Sequence, residues 1–134
     1  MSTSIFDAIR NNDLESLKNI IKTAPEAVHL KDQRGSNPLL LATYFGHFEI
    51  SEFLIANGAD VDLRDNSGNT ALMGVCFKGP LLMAKLLIDN GANVNAVNNN
   101  GASALSFASN YGQDEIVNLL LEAGADPSLK DIKS

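Results

Sequence analysis

The chain of 134 residues has the length of one ordinary domain or one short repeat array. Hydrophobic residues make up 45% of it and charged residues 19%, a balance that excludes a disordered or collagen-like chain. Sixteen acidic residues against ten Lys and Arg give a net charge of −6, which argues against general binding to nucleic acid or to a membrane surface.

The single cysteine and the two histidines limit the redox and metal chemistry that is open to the chain. Cys76 allows no intramolecular disulfide, and together with His29 and His47 it leaves too few ligands for a zinc site. The N-terminal segment lacks the basic start and apolar run of a secretory signal, and no apolar stretch approaches the roughly 20 residues of a membrane span. We therefore expect a cytoplasmic protein without a metal or a cofactor.

Residues 1–31 form the first predicted unit, a degenerate copy of a pattern that becomes clear further along the chain. Three full units, 32–64, 65–97 and 98–130, repeat it with a period of 33 residues. Six columns of the repeat are identical in all three units. The identical columns are Gly35, Gly68 and Gly101; Leu39, Leu72 and Leu105; Gly46, Gly79 and Gly112; Leu54, Leu87 and Leu120; Gly58, Gly91 and Gly124; and Ala59, Ala92 and Ala125.

Each unit is predicted to form a helical hairpin followed by a turn. In the second unit, a first helix follows Pro38 and a second helix over 49–56 ends where Gly58 supplies a left-handed cap. In the third unit, Pro80 is predicted to be the first residue of the second helix, where proline is favoured. Because helices this short are marginal alone, we expect one domain over 1–134, an all-α solenoid of about four stacked units with capping ends.

These units resemble ankyrin repeats, whose pattern combines a Thr-Pro-Leu-His tetrapeptide with later Gly-His, Leu-Leu and Gly-Ala-Asp-Val-Asn segments. The second unit shows counterparts at 37–40, 46–47, 53–54 and 58–62, and the resemblance covers nearly the whole chain. No unit keeps the tetrapeptide histidine, and Gly-His becomes Gly79-Pro80 and Gly112-Gln113. We therefore expect helix packing, rather than side-chain hydrogen bonds, to link neighbouring units.

Nucleophilic catalysis would need a nucleophile, a base and a group that orients the base. Ser51 follows His47 by one helical turn, but both residues belong to one short predicted helix and no separate element orients the imidazole. Cys76 lies beside Val75 in a column of small apolar residues within a first helix, which favours a buried thiol over a reactive one. The sequence therefore favours a structural interpretation of all three side chains.

Carboxylates also occur in pairs, at Glu49 and Glu52 and again at Asp114 and Glu115. Each pair begins a predicted second helix, where the helix dipole favours negative charge, so the pairs need no catalytic explanation. We expect a protein that is not an enzyme. The alternative that stays open is a small enzyme or ligand-binding domain that uses His47, Cys76 or these carboxylates.

The resemblance implies that a partner protein binds the turn tips and the outward side of the first helices, which together line a concave face. Carried over position by position, it selects ten partner-binding residues. They are Arg34, Ser36, Tyr44, Phe45, Arg64, Asn69, Phe77, Lys78, Asn110 and Tyr111. Four of the eight aromatic residues fall in this set, and aromatic side chains grouped on an exposed surface are typical of an interaction site.

Charge is distributed unevenly between this face and the rest of the chain. The face is predicted to hold six cations and three acids, whereas the rest holds four cations and thirteen acids. Those on the face are Arg10, Lys31, Arg34, Arg64, Lys78 and Lys130 with Asp32, Asp65 and Asp131. We expect a protein partner with an acidic surface, bound by a free-standing chain that is monomeric when unbound and acts as an inhibitor, an immunity protein or a helper of a partner enzyme.

Overall fold

The computed structural model describes residues 4–129, and that part of the chain folds into eight α-helices and one 3₁₀ helix. The helices are α1 (Ile5–Arg10), α2 (Leu14–Thr23), the 3₁₀ helix (Pro25–His29), α3 (Pro38–Tyr44), α4 (Phe48–Ala56), α5 (Ala71–Lys78), α6 (Leu81–Asp89), α7 (Ala104–Asn110) and α8 (Asp114–Glu122). Within these residues no strand forms, and one isolated β-bridge joins Val97 to Ser103. The predicted all-α repeat architecture is confirmed.

The first helix of each full unit begins at a side chain that caps it. Asn37, Thr70 and Ser103 lie one residue before α3, α5 and α7, and each side-chain oxygen accepts a hydrogen bond from a backbone N–H three residues later. Such a bond satisfies a donor that the helix itself leaves free. All three caps are buried, so they fix the start of each helix inside the array.

Glycines end most of the helices in the left-handed conformation that the sequence predicts. Gly46 has φ 75° and Gly58 has φ 93°, and Asn12 takes the corresponding place in the first hairpin with φ 53°. Gly79 is the exception, with φ −84° and ψ 168°. The proline that follows it favours an extended backbone at the preceding residue, so α5 ends at Lys78, directly before Gly79.

Pro80 also changes the hydrogen bonds around that helix end. In the neighbouring units the residue at this place donates its N–H back to the first helix, from His47 to Ala42 and from Gln113 to Ala108. Proline has no N–H to donate. Pro80 lies at the N-cap of α6, which begins at Leu81, so the prediction that it is the first helical residue was one position too early. The second helix of the preceding unit begins at Phe48, one residue before the predicted start.

The helices pack in two layers. The first helices α1, α3, α5 and α7 each contact the next in chain order, and the second helices pack behind them as an outer layer. One continuous core lies between the layers and includes the repeated leucines as well as Ile50, Met83 and Ile116. No helix in the described part of the chain combines the length and apolar character that crossing a membrane requires.

Side-chain hydrogen bonds also link neighbouring units, which the sequence did not predict. The Nδ2 group of Asn66 donates to the Gln33 carbonyl at 3.1 Å, and that of Asn99 donates to the Asn66 carbonyl at 3.1 Å. A further bond crosses the boundary that Asn66 and Gln33 span: the Asp62 carboxylate, after α4, accepts the backbone N–H of Asn93, after α6, at 2.8 Å. The expectation of helix packing alone was therefore wrong, because asparagine and aspartate at repeating positions take over the linking role.

Candidate partner-binding face

A groove of about 610 Å³ runs along the face that the first helices and the turns form. Its walls come from α1, α3, α5, α7 and the turns before α3 and α5, and from no second helix. The charged and polar lining residues are Arg10, Asp32, Gln33, Arg34, Ser36, Thr43, Asp65, Asn69 and Thr70. The remaining lining residues are Leu40, Leu41, Tyr44, Phe45, Ala71, Met73, Gly74, Phe77 and Phe107.

Four aromatic side chains are exposed on this face, at the ends of the first helices. Tyr44 and Tyr111 are each 54% exposed, Phe45 is 45% exposed and Phe77 is 44% exposed. The rings form pairs: Phe77 lies 4.5 Å from Tyr111 between centroids, and Tyr44 meets Phe45 edge to face at 5.4 Å. These pairs hold the rings in place while leaving much of their area open to a partner.

Lys78 connects the aromatic pairs, since its ammonium nitrogen lies 4.0 Å from the centroid of the Tyr44 ring. This distance is within the range of a cation–π interaction. Lys78 also lines a smaller pocket of about 160 Å³ that it shares with Tyr44, Phe45 and the irregular Gly79-Pro80 segment. The extended backbone at Gly79 thus lies beside the aromatic cluster.

The cations of this face are mostly free of acidic neighbours. Among residues 4–129 one salt bridge forms, between Arg10 and Asp7 at 3.1 Å, so Arg34 and Arg64 have no carboxylate within 4.0 Å in that range. Asp32 uses its Oδ1 to accept the N–H groups of Arg34 and Ser36 within its own turn. The prediction counted Asp7 with the rest of the chain rather than with the face, but its contact with Arg10 offsets one cation of the face. Lys130 and Asp131 of that count lie outside the described residues.

The structure brings together most of the residues that the sequence selected. Six of the ten line the groove: Arg34, Ser36, Tyr44, Phe45, Asn69 and Phe77. Lys78 and Tyr111 adjoin them through the ring contacts already described. Arg64 and Asn110 are exposed but do not line the groove.

The sequence analysis missed the floor of the groove, which the middle of the first helices supplies. Leu41, Gly74 and Phe107 occupy one column of the 33-residue repeat and all three line the groove. The spacing alone would have placed them on one face. Because the three residues differ in size and chemistry, the column does not stand out in a search for identical positions.

The side chains considered for catalysis do not form a catalytic arrangement. Ser51 is fully buried and donates its hydroxyl to the backbone carbonyl of His47 at 2.8 Å, and the Nε2 atom of His47 is buried without a hydrogen-bond partner among the described residues. Cys76 is buried, and desolvation raises the pKa of its thiol to about 12, so it stays protonated near neutral pH. No group of three metal-ligating side chains occurs in the part of the chain that the structure describes.

Two comparisons with known proteins agree with this architecture. The family profile described as "Ankyrin repeats (3 copies)" matches residues 5–98 and 70–131, which together cover most of the chain. Over 62 residues, or 46% of this chain, the sequence is 32% identical to "Ankyrin repeat domain-containing protein 29" from Danio rerio. The matched segment spans about a fifth of that relative, 21% of its length.

Proposed function

We propose that this chain, which belongs to the ankyrin-repeat family, is a non-enzymatic module that holds a partner protein against the groove of its first helices. Ankyrin repeats generally mediate protein–protein interaction, and the family is generally non-enzymatic. The partner, the binding face and the consequence of binding are the parts of the proposal that concern this chain in particular.

The observation that carries the proposal is the exposed aromatic cluster beside Arg34, whose side chain has no carboxylate within 4.0 Å among residues 4–129. Tyr44, Phe45, Phe77 and Tyr111 are between 44% and 54% exposed, although the core of the array is complete without them. Large rigid rings at the centre of an interface contribute a disproportionate share of binding energy. Their area therefore supports an interaction surface better than a role in holding the repeats together.

Charge supports an acidic partner. Two of five cations line the groove, a third lies over the Tyr44 ring, and the other two directly precede lining aspartates in the chain. The carboxylates of Asp7, Asp32 and Asp65 lie among them. The cations are Arg10, Lys31, Arg34, Arg64 and Lys78. The chain as a whole is acidic, so its field repels an acidic partner from the outer layer and attracts it toward this face. We further propose that the chain is cytoplasmic and monomeric when unbound, and that it inhibits, protects or assists the protein it binds.

The experiment that tests the proposal compares three immobilised forms of the protein in a lysate of the source cells. The forms are the native chain, the Tyr44→Ala/Phe77→Ala variant, and the Glu52→Ala/Glu122→Ala variant, which changes exposed residues of the outer layer. We expect a stoichiometric, acidic partner on the native and outer-layer forms and its loss from the aromatic variant. With the partner purified, each aromatic truncation at an anchoring ring should cost about 2 kcal/mol of binding free energy in titration calorimetry.

A partner that all three forms retain equally would place the interface elsewhere. A partner that only the outer-layer variant loses would place it on the second helices. In either case the groove would not be the binding face.

A further inference from the structure

The glycine in the middle of α5 is unexplained by the requirements of the repeat. Gly74 is the fourth residue of Ala71–Lys78, and the matching residues of the neighbouring first helices are Leu41 and Phe107. Glycine inside a helix destabilises it relative to alanine, because it gains no side-chain packing and loses the most backbone freedom. A residue with that cost needs a reason.

The backbone around Gly74 supplies none. Its conformation is helical rather than left-handed, and a Cβ atom added to it would meet nothing within 4 Å. Gly79 shows the contrast, since a Cβ there would lie 2.9 Å from the Val75 backbone. Neither strain nor close approach of another segment therefore requires glycine at position 74.

The consequence of Gly74 is space in the groove. The residue lines the groove together with Leu41 and Phe107, and Tyr44 and Phe77 line the same groove at the ends of α3 and α5. The first helices pack side by side, so a missing side chain in the central one leaves a gap between the side chains of the two flanking helices. Leu41 and Phe107 in those helices give the groove apolar and aromatic lining on both sides of Gly74, beside the polar residues of the turns.

We infer that Gly74 forms the floor of a socket that receives one large apolar side chain, aromatic or leucine, from an acidic peptide segment of the partner protein. This inference rests on the proposed function and names the chemistry that the groove selects. Leu41, Phe107 and Phe77 supply the apolar walls. Asp32 and Asp65 line the same groove, but each uses its Oδ1 to accept two backbone N–H groups of its own turn. Arg34 lines it with no carboxylate within 4.0 Å of its side chain in the described residues, and it supplies the charge that a nearby acidic side chain of the segment meets.

If the socket exists, replacing Gly74 by a larger residue should change stability and binding in opposite directions. Replacing Gly74 by alanine fills open space and restores helix propensity, so the melting temperature should rise by about 3–6 °C. Replacing it by leucine places a side chain where the partner's side chain binds. Gly74→Leu should therefore remain folded, without a lower melting temperature, and lose at least tenfold in affinity.

The test uses a displayed library of random 12-residue peptides selected against the native chain. Peptides that survive are synthesised with a fluorescent label, and their dissociation constants are measured by anisotropy against the native chain, Gly74→Ala, Gly74→Leu and Arg34→Glu. Asn118→Leu is the matched control, since it adds the same side chain at an exposed position of α8 in the outer layer. We expect peptides with one large apolar residue flanked by acids. Their affinity should fall at least tenfold in Gly74→Leu and Arg34→Glu, and less than twofold in Asn118→Leu.

The outcomes separate the socket from the broader proposal. Peptides that lose affinity in Arg34→Glu but bind Gly74→Leu as well as the native chain would overturn the socket and leave the binding face intact. Peptides that ignore every one of these changes would overturn both. A selection that enriches nothing, or that enriches basic peptides, would overturn the inference that an acidic segment occupies the socket.

Discussion

Single residues in this protein are buried according to their column in the repeat. Leu54, Leu87 and Leu120 are fully buried, and Leu72 is 1% exposed. A column that recurs in every full unit faces the same environment in each, because each unit packs on a copy of itself. A leucine that is identical across the units therefore marks a side chain whose volume the core requires.

Replacing Leu72 by alanine should destabilise the array strongly. The change leaves a cavity in a packed core, and such a change costs about 2–5 kcal/mol of unfolding free energy, measured by urea denaturation. Leu82→Ala is the control, because Leu82 is 58% exposed on α6 and should cost far less. Equal losses for the two variants would contradict the assignment of Leu72 to the core.

Cys76 should respond to pH in a manner set by its burial. Its folded pKa of about 12 lies above the value near 9 of a free thiol, so between these values the unfolded chain releases a proton that the folded chain keeps. The contribution of the protonated Cys76 thiol to the free energy of unfolding is complete below pH 9. It is lost as pH rises toward 12, by up to about 1.4 kcal/mol per pH unit.

The pH effect is measured as the difference in unfolding free energy between the native chain and Cys76→Ala at each pH. The contributions of the other titrating groups cancel in this difference. The native thiol should also react with a disulfide reagent at pH 8 far more slowly than the urea-unfolded chain does. A native thiol that reacts at the unfolded rate would show that Cys76 is accessible.

At the scale of the helices, each element depends on its neighbours. The helices are 6 to 10 residues long, which is too short for stability in isolation. Asparagines at equal positions of successive turns add hydrogen bonds between units, as Asn66 does with Gln33 and Asn99 does with Asn66. The turns are thereby tied to one another independently of the apolar core.

Replacing Asn66 by alanine should remove one link of this ladder and cost about 0.5–1.5 kcal/mol of unfolding free energy, the usual net worth of one hydrogen bond. Chemical denaturation measures the loss. Asn100→Ala, in the following turn, is the control, since the Asn100 side chain makes no hydrogen bond to a described residue. If both variants are equally stable, the bond from Asn66 to Gln33 contributes nothing to the stability of the array.

At the scale of the whole molecule, the net charge is acidic, but most of the cations among the described residues belong to the proposed binding face. Reversing Arg34 and Arg64 to glutamate should slow association with an acidic partner and leave dissociation nearly unchanged, because long-range attraction acts before contact. The effect should shrink as salt is raised, since the screening length falls to about 10 Å at 0.1 M. Stopped-flow association at several salt concentrations measures it.

A charge-matched control keeps this prediction specific. Lys18→Glu/Lys85→Glu makes the same change in net charge on exposed positions of α2 and α6, in the outer layer. It should alter the association rate much less than the arginine reversals do. Equal slowing by both variants would show that net charge, rather than the charge of the face, governs association.

The amino-acid sequence by itself determined the period, the two helices of each unit and the positions of most caps, because these depend on residues that are near one another in the chain. Asn37 caps α3, and Gly58 ends the second helix with φ 93°, as local preference predicts. Equal columns also placed Tyr44 and Phe77 on one face. The family and the all-α repeat fold followed from the same repetition.

Only the tertiary structure decided which of these residues meet across units. Asn66 reaches Gln33, 33 residues away, and the ammonium of Lys78 lies over Tyr44, because rotamers settle against the neighbouring unit rather than against the local chain. Arg64 belongs to the predicted set but does not line the groove. The open space at Gly74 is visible only in the tertiary structure, because it depends on how the neighbouring first helices pack beside α5. No local sequence pattern indicates such an empty volume.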